Sequence, residues 1–244
     1  MELQNNYILS DKKQSKINFA DFMQGAKDCI PTIFGYLSIG FTCGVVSKSC
    51  GLTFWETTGM STFIYAGSSQ FIAASMILSA LSAPSIIFTI FLVNLRHLFM
   101  SAALAPYFQK NSFWQNFSIG TLLTDETFVV ASSMGIKKSH LSYAWMTGLN
   151  LTAYLNWILA TGIGVLFGSL IPNYEVFGLD FALTAMFIGL LASSIKDNIV
   201  LSKSLFIIFS TIIILVGSTY FVSTNTSVLI AALIGALIGM VIKK

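Results

Sequence analysis

Four groups of residues in this sequence carry side chains able to hold a charged ligand or move a proton. The first is Asn94-Leu95-Arg96-His97. An arginine guanidinium does not give up its proton, so Arg96 must be met by a carboxylate or by carbonyl oxygens. His97, one of only two histidines, titrates near neutral pH unless its surroundings move it. The second group is Thr124-Asp125-Glu126-Thr127, where two carboxylates stand side by side. The third, Tyr65-Ala66-Gly67-Ser68-Ser69-Gln70-Phe71, combines a glycine with two hydroxyls and an amide. The fourth is Gly178-Leu179-Asp180-Phe181. None belongs to a recognised enzymatic motif. There is no HExxH, no GxSxG, no Walker A loop and no haem- or iron–sulfur-type cysteine pattern. A histidine with two carboxylates could serve an intramembrane hydrolase, yet no nucleophile stands at a recognisable spacing from them. Neither an enzyme nor a cofactor or metal site is expected. Cys29, Cys43 and Cys50 are odd in number and lack CxxC spacing, so they read as small apolar residues.

The chain that must position these groups has 244 residues, 55% of them hydrophobic and 9% charged, with 21 Phe and a mean hydropathy of +0.78. A soluble domain carries about 25% charged residues, because its surface must be solvated. Ten acidic and 13 basic residues are too few for that, which excludes a cytosolic enzyme, a secreted globular domain and a disordered tail. The net charge of +3 is modest and the lysines do not cluster, so no nucleic-acid partner is expected. The composition is that of an integral membrane protein.

A helix needs roughly 20 apolar residues to span the hydrocarbon. Eight stretches qualify: 29–47, 54–80, 84–106, 118–134, 140–170, 178–194, 200–221 and 224–242. Their apolar residues run continuously instead of alternating, which fits helices and not barrel strands. The expected fold is therefore all-α and polytopic, with about eight (seven to eight) transmembrane helices. No positively charged leader with a short apolar core opens the chain, so no cleavable signal is expected. Residues 1–28 read as a cytoplasmic segment. Phe19, Phe22, Met23 and Ala26 give it a short interfacial helix that ends as Pro31 enters the first span. Residues 29–242 read as one transmembrane domain.

The stretch 118–134 is the weakest, because it holds Asp125 and Glu126. Positive charge collects in cytoplasmic loops. With eight spans and both termini cytoplasmic, ten lysines lie inside and only Lys48 and Lys110 outside. Removing 118–134 as a span would leave four inside and eight outside. A pair of re-entrant half-helices would keep the same parity as eight spans.

Inside a membrane a central Arg or Asp costs about 2.5–3.5 kcal/mol, so each polar group asks for a partner or water. Gly67, Ser68, Ser69 and Gln70 fit a broken helix near the midplane; a close packing seam is the alternative. Arg96 lies about a dozen residues into its span, where snorkelling is hard. Neighbouring carboxylates point about 100° apart on a helix, so one of Asp125 and Glu126 can face Arg96 while the other faces a cavity. The alternative puts that pair at the water boundary of a shallow segment. Asp180 has a structural reading as a helix N-terminal residue, and Lys196 with Asp197 reads as a solvated loop. Asn150, Tyr154 and Asn156 form a polar stripe that suits helix–helix hydrogen bonding or pore lining. Gly40/Gly44, Gly164/Gly168 and Ala231/Gly235/Gly239 are seams for close helix contact, within the chain or with a partner.

Four blocks also resemble a known family in order. They are Met60-Ser61 through Tyr65-Ala66-Gly67-Ser68-Ser69-Gln70-Phe71, Asn94-Leu95-Arg96-His97 with Ser101 to Ala105, Thr124-Asp125-Glu126-Thr127-Phe128, and Gly178-Leu179-Asp180-Phe181-Ala182 with Ala185 and Phe187. The family is AzlC, the large subunit of branched-chain amino acid exporters, and the resemblance covers about residues 20–195. It implies a plasma-membrane permease exporting Leu, Ile and Val, extending to Met or toxic analogues such as azaleucine. It further implies a small AzlD-like membrane subunit and coupling to protons. Seven spans are usual in descriptions of the family, against eight from the charge count. The resemblance brings no set of functional residues with it, and the physical reading of the polar groups makes Gly67 to Gln70, Asn94 and Arg96 the expected substrate-binding residues. His97, Asp125 and Glu126 are the expected proton-coupling ones. A scaffold or sensor subunit, or a channel for a small solute, are the competing readings.

Overall fold

A computed structural model describes residues 18–171, 201–222 and 224–243, with single positions between 178 and 192. Asp180, Lys196 and Asp197 lie outside the described residues. The helices are α1 (Phe19–Asp28), α2 (Ile30–Ser49), α3 (Phe54–Phe63), α4 (Gly67–Leu78), α5 (Ala83–Leu104), α6 (Phe113–Thr121), α7 (Asp125–Lys137), α8 (Tyr143–Gly168), α9 (Leu201–Thr219) and α10 (Thr224–Lys243). Local sequence writes several of their starts. Asn18 caps α1 by accepting from the Ala20 amide. Thr53 with Glu56 and Ser112 with Gln115 form capping boxes for α3 and α6. The all-α, polytopic expectation holds. Among the described residues, Ile30–Ser49, Ala83–Phe108, Tyr143–Gly168 and Ser202–Thr219 are each long and apolar enough to cross a bilayer.

The frame of the molecule is the pair α2–α8, and glycine makes it. A Cβ on Gly40 would lie 2.7 Å from that of Ala160, and Gly44 leaves no room for one against the Thr161 carbonyl. From the other side, Gly164 abuts the Phe41 carbonyl and Gly168 abuts Lys48. The two predicted GxxxG seams thus face each other. Contact numbers rise together along both helices, so α2 and α8 run parallel. α1 continues the same line: Gly25 lies on the Trp145 carbonyl, Gly148 on that of Phe22, and Trp145 Nε1 donates to Asp28 Oδ2 at 2.7 Å.

α5 runs the opposite way. Arg96 shares a cavity with Trp157 of α8, whereas the Leu141 amide, just before α8, donates to the Tyr107 carbonyl at 3.1 Å. That antiparallel course decides what the second and fourth apolar stretches do. Gly67 meets Trp157 at the level of the cavity. Residues 79–82 then join α4 to the start of α5, and so short a link stretches only about 18 Å. α4 must therefore return to the side from which α3 came. Gln70 confirms it by bonding back to Ser61 at 2.8 Å. By the same logic Gly135 near the end of α7 lies on the Tyr107 ring, beside the start of α8, while Ser118 of α6 reaches Tyr143 at 3.1 Å.

The second and fourth stretches, each expected as a span, are thus parts of hairpins of two half-helices that turn at the level of the shared cavity. Helices of ten and twelve residues rise about 15 and 18 Å, half of a hydrocarbon core of about 30 Å. The two hairpins enter from opposite sides, so the charge parity survives while Lys110 changes sides. It joins Lys27, Lys137 and Lys138 at one end of the α2–α8 pair, and Lys48 sits at the other. Among these described lysines, four lie at one end and one at the other. α9 and α10 form an antiparallel pair, with Lys203 Nζ donating to the Ile242 carbonyl at 2.9 Å and Gly235 on Thr211. The last small-residue seam is therefore also used within the chain.

Gly44→Leu should lower the melting temperature of the detergent-solubilised protein, an overpacking cost of about 1–3 kcal/mol. Gly59→Ala, where a Cβ meets nothing within 4 Å, should leave it unchanged.

Candidate functional site

The hairpin tips carry the polar residues, because a helix broken in hydrocarbon frees backbone groups that must find partners. In the first tip Tyr65 has φ +43°, a left-handed conformation unusual for a side chain of its size. Ala66 is extended and starts α4 without a side-chain cap. The break falls just before Gly67–Gln70, which form the first turn of α4. In the second tip Thr124 is extended and caps α7, exchanging bonds with Thr127. The freed carbonyls are taken up by neighbours. Tyr154 donates to Thr62 at 2.9 Å and Asn150 Nδ2 to Ile119 at 3.2 Å, while Asn156 Nδ2 ties α8 to α2 by donating to the Ile33 carbonyl at 3.2 Å. The polar stripe of α8 thus serves helix–helix hydrogen bonding.

Both half-helix N-termini, at Gly67 and at Asp125, open on one cavity that also receives Arg96 and His97 from α5. Arg96 joins the hairpins: Nη1 pairs with Asp125 Oδ2 at 2.9 Å and Nη2 donates to Ser68 Oγ at 2.7 Å. Both members of the pair are about four-fifths buried, at 23% and 18% exposed, so the guanidinium is held and does not snorkel. His97 Nδ1 lies 3.0 Å from the Leu123 carbonyl. A carbonyl only accepts, so Nδ1 carries the hydrogen. In the neutral ring Nε2 then holds a lone pair, and that atom is buried without a partner. Glu126 lines the cavity beside Tyr36 and Tyr65. Tyr65 is 6% exposed and its hydroxyl has no hydrogen-bond partner. The free volume is about 10 Å³, room for about one water.

Of the expected site residues, Gly67, Arg96, His97, Asp125 and Glu126 line this cavity and Ser68 is bonded into it. The others are engaged elsewhere. Ser69 donates to Asn94 at 2.6 Å, tying α4 to α5. Gln70 accepts from Trp157 Nε1 at 2.6 Å and donates to Ser61, which meets Thr161 at 2.7 Å. That chain fixes the indole over Gly67, where a Cβ would lie 2.9 Å from Trp157 Cη2.

Sequence reasoning passed over Tyr36 and Trp157, and it singled out Thr124 to Thr127 without placing a helix break there. Tyr36 bonds the Thr124 hydroxyl and packs edge-on to Trp157 at 5.8 Å. Two signals could have found the tip. Thr124 and Thr127 have capping spacing, and Ala73-Ala74-Ser75-Met76 matches Ala131-Ser132-Ser133-Met134 at the same offset from the caps Ala66 and Thr124.

α2 with its hairpin and α5 with its hairpin are thus oppositely oriented versions of one unit, meeting at a polar mid-membrane site. That is an architecture of membrane carriers. The chain belongs to the AzlC family, matching it over residues 31–171, and is a membrane transport protein. It is 30% identical over 180 residues to the Bacillus subtilis branched-chain amino acid transport protein AzlC, covering 72% of this chain and 68% of that one. It is 28% identical over 232 residues to the Escherichia coli inner membrane protein YgaZ, covering 91% of each. It is also 32% identical over 182 residues to an uncharacterised membrane protein of Helicobacter pylori, covering 73% and 79%. No solved structure matches the chain.

Arg96→Gln and Asp125→Asn should each destabilise the protein, while the double variant loses less than their sum. A cycle of melting measurements should give a coupling of about 0.5–3 kcal/mol.

Proposed function

We propose that the chain exports branched-chain amino acids across the plasma membrane, driven by protons, together with a small AzlD-like membrane subunit. Its lysine-rich end, and with it both termini, would face the cytoplasm. The observation that carries this reading is the asymmetry of the two tips. α4 presents the amides of its first turn without a side-chain cap, next to Arg96, which favours a carboxylate. α7 is capped and brings Asp125 and Glu126, which favour an ammonium. A zwitterion placed between them meets complementary charge at both ends. A second support is the unpartnered Tyr65 hydroxyl, a buried donor that an incoming carboxylate would satisfy. The substrate is supported by the relative named for branched-chain amino acid transport.

In this reading Arg96 releases part of its hold on Asp125 as substrate arrives, and Glu126 or His97 Nε2 takes and returns the proton. The cavity must widen before an amino acid fits. Hairpins that enter from opposite faces allow that widening on one side at a time. The absence of an ATPase motif leaves an ion gradient as the source of uphill work. A channel would differ in that its flux only equilibrates.

The test is efflux of free Leu, Ile and Val from cells preloaded with a Leu-containing dipeptide, with and without this chain and a small AzlD-like partner. Export should require the chain and stop when an uncoupler collapses the proton gradient; flux that merely equilibrates would favour a channel. Arg96→Gln should abolish export while the protein stays in the membrane, and normal transport by it would sink the arrangement. Asp125→Asn with Glu126→Gln should remove the pH dependence of transport.

A further inference from the structure

A second cavity, of about 150 Å³, lies between the C-terminal half of α5 and α6. Leu104, Phe108, Ile119 and Leu123 wall it, and each is at most 6% exposed. Ser101 and Asn116 are the polar residues of its lining. Asn116 and Ala105 are exposed, so the cavity is open to the outside in the half of the molecule that bears Lys110, Lys137 and Lys138. Its inner end abuts the central site. Leu123 directly precedes Thr124, and its carbonyl is bonded to His97, one helical turn before Ser101 on α5. The two cavities are therefore neighbours, divided by the His97–Leu123 contact. One has room for about a water, whereas an apolar cavity of about 150 Å³ accepts a benzene-sized group. A branched four-carbon side chain fits it.

We infer that this chamber is a loading station for aliphatic amino acids. It would bind the side chain on the lysine-rich side before the substrate passes the His97–Leu123 partition into the central site. The inference rests on the transport reading above and adds to it a second binding site and a selectivity device. The walls reward apolar volume, so leucine is retained and alanine gains little. The charged ends of the substrate stay toward Ser101, Asn116 and water.

Gly120 makes the chamber testable, because it lines the cavity and a Cβ there meets only Ser101 Oγ at 3.5 Å. A larger side chain at this position projects into the empty volume and not into backbone. The assay uses inside-out vesicles that carry this chain and a small AzlD-like partner, and Gly59→Ala, where a Cβ meets nothing within 4 Å, is the control that should transport as the wild type does. Gly120→Leu should raise the KM for leucine roughly tenfold and leave that for alanine unchanged. Gly120→Cys should react with a membrane-impermeant maleimide from the lysine-rich side, and leucine should slow the reaction. The native cysteines are buried and give a quiet background. A wild-type chain that moves no leucine would overturn the transport reading, and leucine protection of Gly120→Cys in that case would still support the chamber. Wild-type flux with Gly120→Leu unaltered, an equal loss for leucine and alanine, or labelling that leucine does not slow would overturn the chamber.

Discussion

A peptide backbone inside hydrocarbon has no water to fall back on, and this constraint organises the whole molecule. Two hairpins break their helices at mid-membrane, and each break frees carbonyls and amides. The carbonyls are met by Tyr154, Asn150 and His97, so α8 and α5 must lie where those side chains reach. The α2–α8 pair, closed by glycines over its length, supplies the rigid wall that holds α8 in place. What the protein leaves unmet is as telling as what it satisfies. The first turn of α4 lacks a side-chain cap, and the Tyr65 hydroxyl and His97 Nε2 lack partners. All of these lie around one cavity.

The glycine frame and the polar tips depend on each other through Trp157. The indole is seated by Gln70 and by Tyr36, and it closes over a residue that has no Cβ. Gln70 in turn reaches Ser61, which meets Thr161, so the first hairpin is stitched to α8 by side chains buried beyond the reach of solvent. The second hairpin is tied to α5 through Arg96 and His97, to α8 through Asn150 and Tyr143, and to α2 through Tyr36. Arg96 is the side chain that touches both, through Ser68 and Asp125.

Much of this was legible in the sequence, for a physical reason. Arg96, His97, Asp125 and Glu126 stand out because charge in an apolar run is costly, and those residues do meet. The GxxxG seams were legible as close contacts, though only the fold shows that they face each other. The turn-backs were not legible. An apolar stretch that crosses and one that returns have the same composition, and lysine parity is blind to a pair of returns. Lys110 went to the wrong side for that reason. Tyr36 and Trp157 were passed over because an aromatic ring in a membrane segment looks like any other lipid-compatible residue until its neighbours are known. Ser69, Gln70 and Asn94 drew attention as polar residues, yet their hydrogen bonds are spent within the protein.

The opposed hairpins also bear on directionality. Two inverted units, taken alone, carry no direction, so that part of the architecture prefers neither inward nor outward movement. A vectorial carrier built this way must draw its direction from what distinguishes the halves, an open amide turn on one tip and paired acids on the other, and from the gradient imposed across it. Evolution could then reverse the traffic by exchanging a few side chains at the tips, without inserting the protein upside down.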